Sequence, residues 1–188
     1  PTYLPQLLAP IILGKADYVK GNRFIHSNEL RSMPLLRRIG NACLSFLAKG
    51  ASGYWNIFDP TNGYTAIHTS VISLLDTSRI DFRYFFESSL LIELGVIRAV
   101  VQDVNIPARY QQERSSLSEW KAFLEFPPKL MRGFLRRFII QYFIRDFGAL
   151  SVLFILGIIL STFGLLFGIY HWYLSYATSI IASTGTVM

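Results

Sequence analysis

The spacing of hydrophobic and polar positions changes period several times in the first half of the chain. Residues 16–20 alternate in the way typical of a short strand, which ends at Gly21. Residues 27–49 carry apolar side chains at three- and four-residue steps, which predicts an amphipathic helix. Gly50 and Gly53 then supply the end of that helix.

The rest of this half predicts shorter elements. Residues 4–13 are apolar but interrupted by two prolines, which predicts a helix end and a loop. Residues 65–75 and 84–94 predict two short helices, and residues 96–106 predict a strand. Helices mixed with isolated short strands indicate part of an α/β domain.

The last quarter of the chain has no Asp, Glu, Lys or Arg after residue 146. Residues 147–174 are rich in Leu, Ile and Phe, and a membrane span needs roughly 20 apolar residues. We therefore expect a transmembrane helix here, with a second one beginning within residues 175–188 and an aromatic belt at the far interface.

The segment just before this span predicts an interfacial amphipathic helix. On a helix its basic residues fall on one side, at Lys129, Arg132, Arg136 and Arg137. Large apolar residues fall on the other, at Met131, Phe134, Leu135, Phe138 and Tyr142. This pattern predicts an apolar face in the headgroup boundary, arginines on lipid phosphates and the basic side toward the cytoplasm. The alternative is a basic helix buried in a soluble domain.

Composition narrows the partners. The 188 residues carry a net charge of +6, and the cations thicken beside the apolar segment, which favours anionic membrane lipids over nucleic acid. A single cysteine excludes an intramolecular disulfide. The first residues begin in the middle of a pattern, so we expect the chain to be a fragment.

Local catalytic motifs are lacking. The three histidines have no metal-binding spacing, and no glycine-rich phosphate loop or nucleophile elbow is present. We therefore predict no metal site within the chain. Lys20 and Lys49 carry no signal beyond solvation.

Four segments in a fixed order are nevertheless similar to a known family. They are Asp17-Tyr-Val-Lys-Gly-Asn-Arg-Phe24, Phe58-Asp-Pro-Thr-Asn-Gly-Tyr-Thr-Ala66, Phe85-Phe-Glu-Ser-Ser-Leu-Leu-Ile-Glu-Leu94 and Ile106-Pro-Ala-Arg-Tyr-Gln-Gln-Glu-Arg-Ser-Ser-Leu117. Together with the membrane span they resemble family 2 glycosyltransferases of the dolichol-phosphate mannose synthase type, including the polyprenyl-phosphate glycosyltransferases.

The resemblance implies an α/β fold, the C-terminal half of a GT-A domain over residues 1–115. Juxtamembrane amphipathic helices over residues 116–146 and the transmembrane helix would follow. It implies transfer of a sugar from a nucleotide-sugar donor to a polyprenyl-phosphate acceptor. It also implies a divalent cation, Mg²⁺ or Mn²⁺, whose ligands lie outside this chain. A fragment of this kind is expected to be inactive alone.

The family's functional residues map onto particular positions here. The resemblance assigns the acceptor phosphate to arginines, in which permanent charge and a forked donor geometry suit phosphate. These are Arg23 and Arg114, with Arg109 as a competitor and Arg38 as a weaker candidate. It assigns an acceptor-side turn to Asp59, Asn62 and Gly63, followed by Glu87.

Simpler roles stay open for these residues. Arg23 could pair with Asp17 or Glu29, and the turn at Asp59 could serve only to shape the backbone.

Two other functions of the whole protein also stay open. One is a processive family 2 polysaccharide synthase, although Ser115 stands where those enzymes carry a tryptophan. The other is a membrane scaffold with a degenerate transferase fold.

Overall fold

The chain divides into two units, Pro1–Ile140 and Gln141–Met188. The structure is a computed structural model, and it describes residues 3–22, 35–57, 62–106 and 119–178.

The first unit contains a small sheet and five helices among its described residues. The strands are β1 (Tyr18–Asn22), β2 (Thr65–Ile67) and β3 (Val101–Asn105). The helices are α1 (Leu4–Ile12), α2 (Leu35–Ser52), α3 (Thr69–Ile72), α4 (Phe86–Ile97) and α5 (Glu119–Ile139). Two single 3₁₀ turns, Thr77–Arg79 and Arg83–Phe85, precede α4. This mixture of helices and strands is consistent with part of an α/β glycosyltransferase-like fold.

The sheet has the order β2-β1-β3, with β1 in the middle. β1 pairs antiparallel with β2 and parallel with β3. The alternation of β1 divides the core, because Tyr18 packs with Leu91 and Leu94 of α4 while Val19 packs with Leu7 of α1. The sheet therefore has α4 on one face and α1 on the other.

Two predicted elements have boundaries that differ from those in the structure. Residues 65–67 form β2 instead of helix, because three residues are too few to show alternation and pairing with β1 stabilises them. The strand predicted from residue 96 begins only at Val101, because α4 continues to Ile97. That helix ends at Arg98, whose φ of 59° lies in the left-handed region.

The first two helices also differ from expectation in extent. α1 is a continuous helix through residues 4–12, with Pro10 inside it, where a helix end and a loop were predicted. α2 is confirmed over its described residues but ends at Ser52 instead of Lys49. Its residues before 35 lie outside the described part of the chain. Gly53, at φ +84°, donates to the Lys49 carbonyl at 2.7 Å and closes the helix.

α5 begins ten residues before the basic segment and runs through Pro127 and Pro128. Tertiary packing outweighs the unfavourable prolines, because Phe126 lies edge-on against Phe85 with ring centroids 5.2 Å apart. Leu130 and Phe134 join the same cluster with Ala48 and Ala51 of α2.

The basic side of α5 faces the domain, so the prediction that it faces lipid phosphates is wrong for most of its members. Arg136 forms an ion pair with Glu93 of α4, and Lys129 pairs with Asp81. Arg137 donates to the carbonyl oxygens of Ala51 at 2.8 Å and Gly50 at 2.9 Å. These three cations therefore fasten α5 to its own unit.

A π-helical segment, Ile140–Arg145, begins at the last residue of the first unit, and the second unit then contains α6 (Ala149–Thr178). α6 has 30 residues, and none of its most apolar stretch is buried inside the protein. A helix of this length rises about 45 Å, which exceeds the roughly 30 Å of a hydrocarbon core. Among the described residues it is the one helix long and apolar enough to cross a membrane. The exposure of this apolar stretch differs from the burial typical of the core helix of a soluble protein.

Candidate functional site

A polar cluster lies at the carboxyl ends of β1 and β3. Because these strands are parallel, their carboxyl ends meet at one edge of the sheet, where α/β proteins usually bind ligands. The apolar first half of β1 gives way there to Lys20, Gly21 and Asn22. In the register Lys20 lies opposite Asp103, so both side chains extend on the face that carries α4.

Lys20 is buried at 0% exposure, so the expectation that it is solvated is wrong. Its Nζ donates to the main-chain oxygen of Asn62. Burying an ammonium group costs much free energy unless polar groups surround it, and the strand opposite supplies Asp103. The sequence indicated this burial, because Lys20 lies two residues after Tyr18 and therefore on the same face of the strand. β1 also has a neighbouring strand on each side.

Asn62 makes three hydrogen bonds, two that fasten its turn to β1 and one within the turn. Its Nδ2 donates to the Gly21 carbonyl at 2.6 Å, and its Oδ1 accepts from the Tyr64 amide at 3.1 Å. Its own carbonyl accepts from Lys20. A Cβ on Gly21 would lie 3.0 Å from the Asn62 amide nitrogen and 2.9 Å from Ile106. Gly21 therefore allows the close approach on which this turn depends.

Glu87 reaches the same turn from the first turn of α4. A Cβ on Gly63 would lie 3.3 Å from Glu87 Oε1, so the carboxylate sits directly over this glycine. The amino end of a helix favours such a negative charge. Nearby, Asn22 Nδ2 donates to Asp103 Oδ2 at 3.3 Å. Two carboxylates and two amide side chains thus surround one edge of the sheet.

The Tyr18 hydroxyl lies beneath this cluster. The pKa of Tyr18 is raised to about 12, chiefly by burial and in smaller part by the negative charges of Glu87 and Asp103, against a lowering by Thr65. Thr65 is near enough to affect this pKa. Among the described residues, however, the buried hydroxyl makes no hydrogen bond of good geometry. Tyr18 is thus held neutral close to two acidic side chains.

The structure brings Asn62, Gly63 and Glu87 together. Asn62 and Gly63 lie in one turn, and Glu87 approaches it from the first turn of α4. Arg23, Arg109, Arg114 and Asp59 lie outside the described residues, and Arg38 lies in α2 with its side chain outside the described part. Residue-by-residue motif comparison did not single out Lys20, Asn22 or Asp103. Their signal was that each is polar at the carboxyl end of a strand.

Within the part of the chain that the structure describes, no group of three His, Cys, Asp or Glu side chains could hold a metal ion. Carboxylates accept hydrogen bonds, and side-chain amides both donate and accept them, so the polar edge has groups that could bind a polar ligand.

Comparison with known proteins finds two relatives. The chain is 32% identical over 112 residues to a UDP-N-acetylglucosamine–dolichyl-phosphate N-acetylglucosaminyltransferase of Methanococcus voltae, covering 60% of this chain and 44% of that protein. It is 28% identical over 92 residues to an uncharacterised protein of Methanocaldococcus jannaschii, covering 49% and 37%. The chain thus spans less than half the length of the curated relatives it matches. No protein-family model and no solved structure matches it.

Proposed function

We propose that the chain belongs to a membrane glycosyltransferase that moves a sugar from a nucleotide-sugar donor to a polyprenyl phosphate. The observation that carries this proposal is the 32% identity over 112 residues to a dolichyl-phosphate N-acetylglucosaminyltransferase. The similarity supports sugar transfer to a polyprenyl phosphate in general and does not favour the mannose synthases in particular. The GT-A assignment to residues 1–115 stays a proposal.

In the proposed reaction an oxygen of the acceptor phosphate attacks the anomeric carbon of the donor sugar. A new carbon–oxygen bond to the phosphate forms as the bond to the nucleoside diphosphate breaks, and the diphosphate leaves with the electron pair. The attacking oxygen already carries negative charge, so a strong general base is less necessary than for a hydroxyl acceptor. The protein's main task is to hold the two phosphates in line.

Arginines would hold the acceptor phosphate in this scheme. Arg23 follows the last residue of β1 in the sequence, and Arg109 and Arg114 follow β3. These positions link the proposed phosphate ligands to the strands whose carboxyl ends carry the polar cluster. Arg38 of α2 is the fourth candidate. Guanidinium groups would fork onto phosphate oxygens and stay charged at every physiological pH.

The turn at Asn62 and Gly63 would border the sugar, with Asp59 at its start and Glu87 above it. The Glu87 carboxylate accepts hydrogen bonds, so it would bind a sugar hydroxyl. Gly63 has no side chain, which lets the Glu87 carboxylate approach the backbone of this turn. Lys20 would keep this turn in place without touching the substrate, because it is fully buried and donates to the Asn62 carbonyl.

The cofactor and the membrane placement are further parts of the proposal. A divalent cation, Mg²⁺ or Mn²⁺, would neutralise the leaving diphosphate in the complete enzyme, and the described residues offer no site for it. α6 would anchor the enzyme in the membrane of its acceptor, with the catalytic part on the cytoplasmic side and a further span after it.

Labelled-sugar transfer tests the proposal. Membranes from cells that express the full-length protein are incubated with radiolabelled nucleotide-sugars, and label in the organic phase is counted. We expect labelled lipid with at least one donor and a loss of more than tenfold for Arg23→Gln and Arg114→Gln. Arg79→Gln is the control, because Arg79 is exposed and pairs only locally with Asp76. If no labelled lipid forms with any common donor, this result would contradict the acceptor assignment and favour a membrane scaffold.

A further inference from the structure

The exposed face of α2 is apolar. Cys43, Phe46 and Leu47 lie on it, and Phe46 is 62% exposed. Ala48 and Ala51, by contrast, are buried in a cluster with Leu130 of α5. Among the α2 residues whose side chains the structure describes, Phe46 and Leu47 are exposed while Ala48 and Ala51 are buried, the reverse of a soluble amphipathic helix.

α5 carries a second apolar stripe on its exposed side. Leu124, Met131, Leu135 and Ile139 are all exposed, Leu124 at 70%. Steps of seven, four and four residues place them in one line along the helix. Arg132 borders this line, is exposed, and makes no ion pair among the described residues.

The two stripes belong to one helix pair. α2 and α5 pack directly on each other through Ala48, Ala51 and Leu130. Trp55, exposed just after α2, lies edge-on to Phe46 with ring centroids 5.4 Å apart. Soluble monomers rarely expose so much apolar surface in one region, so this surface needs a partner.

Chain connectivity and composition identify that partner. Only residues 140–148 separate Ile139 from α6, the helix long enough to span a bilayer. Nine residues reach at most about 32 Å when fully extended, so the end of α5 stays near any membrane that α6 crosses. Tryptophan and arginine at the border of an apolar surface are the residues that lipid headgroup regions favour.

We propose that the exposed stripes of α2 and α5 insert into the headgroup–acyl boundary of a phospholipid bilayer, with Trp55 and Arg132 at headgroup level. Contact with lipid thus comes from the apolar side chains of two helices, while most of the cations of α5 bind the protein. This surface is independent of the proposed transferase reaction and would exist in an inactive scaffold as well.

Cys43 provides the test, because it is the only cysteine of the chain and lies on the α2 stripe. The full chain is spin-labelled at Cys43 and reconstituted into vesicles of phosphatidylcholine and phosphatidylglycerol. Power saturation then compares collisions with oxygen, which partitions into lipid, and with a water-soluble nickel chelate. A Cys43→Ser background carries Met131→Cys to report the α5 stripe, or Ser73→Cys, at an exposed position just after α3, as an aqueous control.

We expect the ratio of oxygen to nickel collisions to be several-fold higher at positions 43 and 131 than at position 73. Equal ratios at all three positions would overturn the proposal. Dipolar broadening between labels, with both reagents excluded, would show that a second copy of the chain covers the surface, and would also overturn it. Circular dichroism of each labelled variant verifies that the helices are intact.

Discussion

Replacing Arg136 by methionine tests how α5 is held on the domain. Glu93 of α4 is 4% exposed and receives its ion pair from Arg136, whose side chain is 25% exposed. The same guanidinium lies 4.0 Å from the carboxylate of Asp76. Arg136→Met therefore leaves Glu93 buried without the cation that faces it.

The expected loss of stability is large because the carboxylate of Glu93, which remains, is buried away from water. Breaking a buried pair by removing one partner costs about 3–5 kcal/mol. For the unit Pro1–Ile140, an unfolding entropy of about 2.1 cal/mol/K per residue gives about 0.3 kcal/mol/K. The melting temperature of Arg136→Met should then fall by about 10–17 °C. Glu93→Met should cost less, because Arg136 keeps Asp76 and partial access to solvent.

The double variant Arg136→Met/Glu93→Met separates the charge from the packing. Replacing both members of a buried pair by apolar residues is often neutral or stabilising, so it should melt well above Arg136→Met. The assay is thermal unfolding of the full chain in detergent, followed by tryptophan fluorescence. Arg132→Met is the matched control, because Arg132 is exposed on the same helix and should change stability by no more than about 0.5 kcal/mol. The reasoning fails if Arg136→Met melts like Arg132→Met, or if the double variant loses the sum of the single losses.

Three further predictions concern the first unit. Gly95→Ala should destabilise it by several kcal/mol in the same assay, because its Cβ would overlap the last carbonyl oxygen of α2, whereas Gly50→Ala has open space and should be neutral or stabilising. Asn62→Ala should cost about 2 kcal/mol, since it removes two side-chain hydrogen bonds worth about 1 kcal/mol each, and an unchanged melting temperature would contradict this. Burial holds the pKa of Tyr18 at about 12 and that of Tyr54 higher still, so each neutral phenol stabilises the fold fully below about pH 10. Stability should then fall with rising pH by about 1.4 kcal/mol per unit for each tyrosine, up to about pH 12 for Tyr18, and Tyr18→Phe should flatten the denaturation profile by one such slope.

Local sequence patterns predicted those elements that carry their own signal. α2 shows hydrophobic periodicity and α6 an unbroken apolar run, each over three or more turns, and both helices are present, as is α4. β2 is only three residues long, so its existence depends on pairing with β1 and not on its own residues. The early end predicted for α4 was wrong because Val96 and Ile97 favour strands in isolation, while their neighbours in the core keep them helical.

Only those residues of the candidate site that belong to a family motif could be predicted from the sequence. Asn62, Gly63 and Glu87 were found through their order in the chain, and the fold brings them together. Lys20 and Asp103 are 83 positions apart in the sequence and meet only because β1 and β3 are parallel neighbours. Amphipathic periodicity likewise gives two faces of α5 without saying which one packs on α2 and α4, and three of its cations, Lys129, Arg136 and Arg137, contact the protein.

Arg137 shows why a basic residue beside a membrane span need not bind lipid. Its guanidinium donates to two carbonyl oxygens at the end of α2, where a helix lacks its own donors and the dipole favours a cation. The chain leaves room for this side chain at two glycines, since a Cβ on Gly53 would lie 2.8 Å from Arg137 Nη1 and one on Gly95 would lie 3.1 Å from its Cδ. In the sequence both glycines appear only to mark the ends of helices. In the structure they also leave the space that the side chain of Arg137 occupies. A lysine at this position would reach the carbonyl oxygens with a single ammonium and lose the forked contact, so Arg137→Lys should weaken the attachment of α5 to α2 although it keeps the charge.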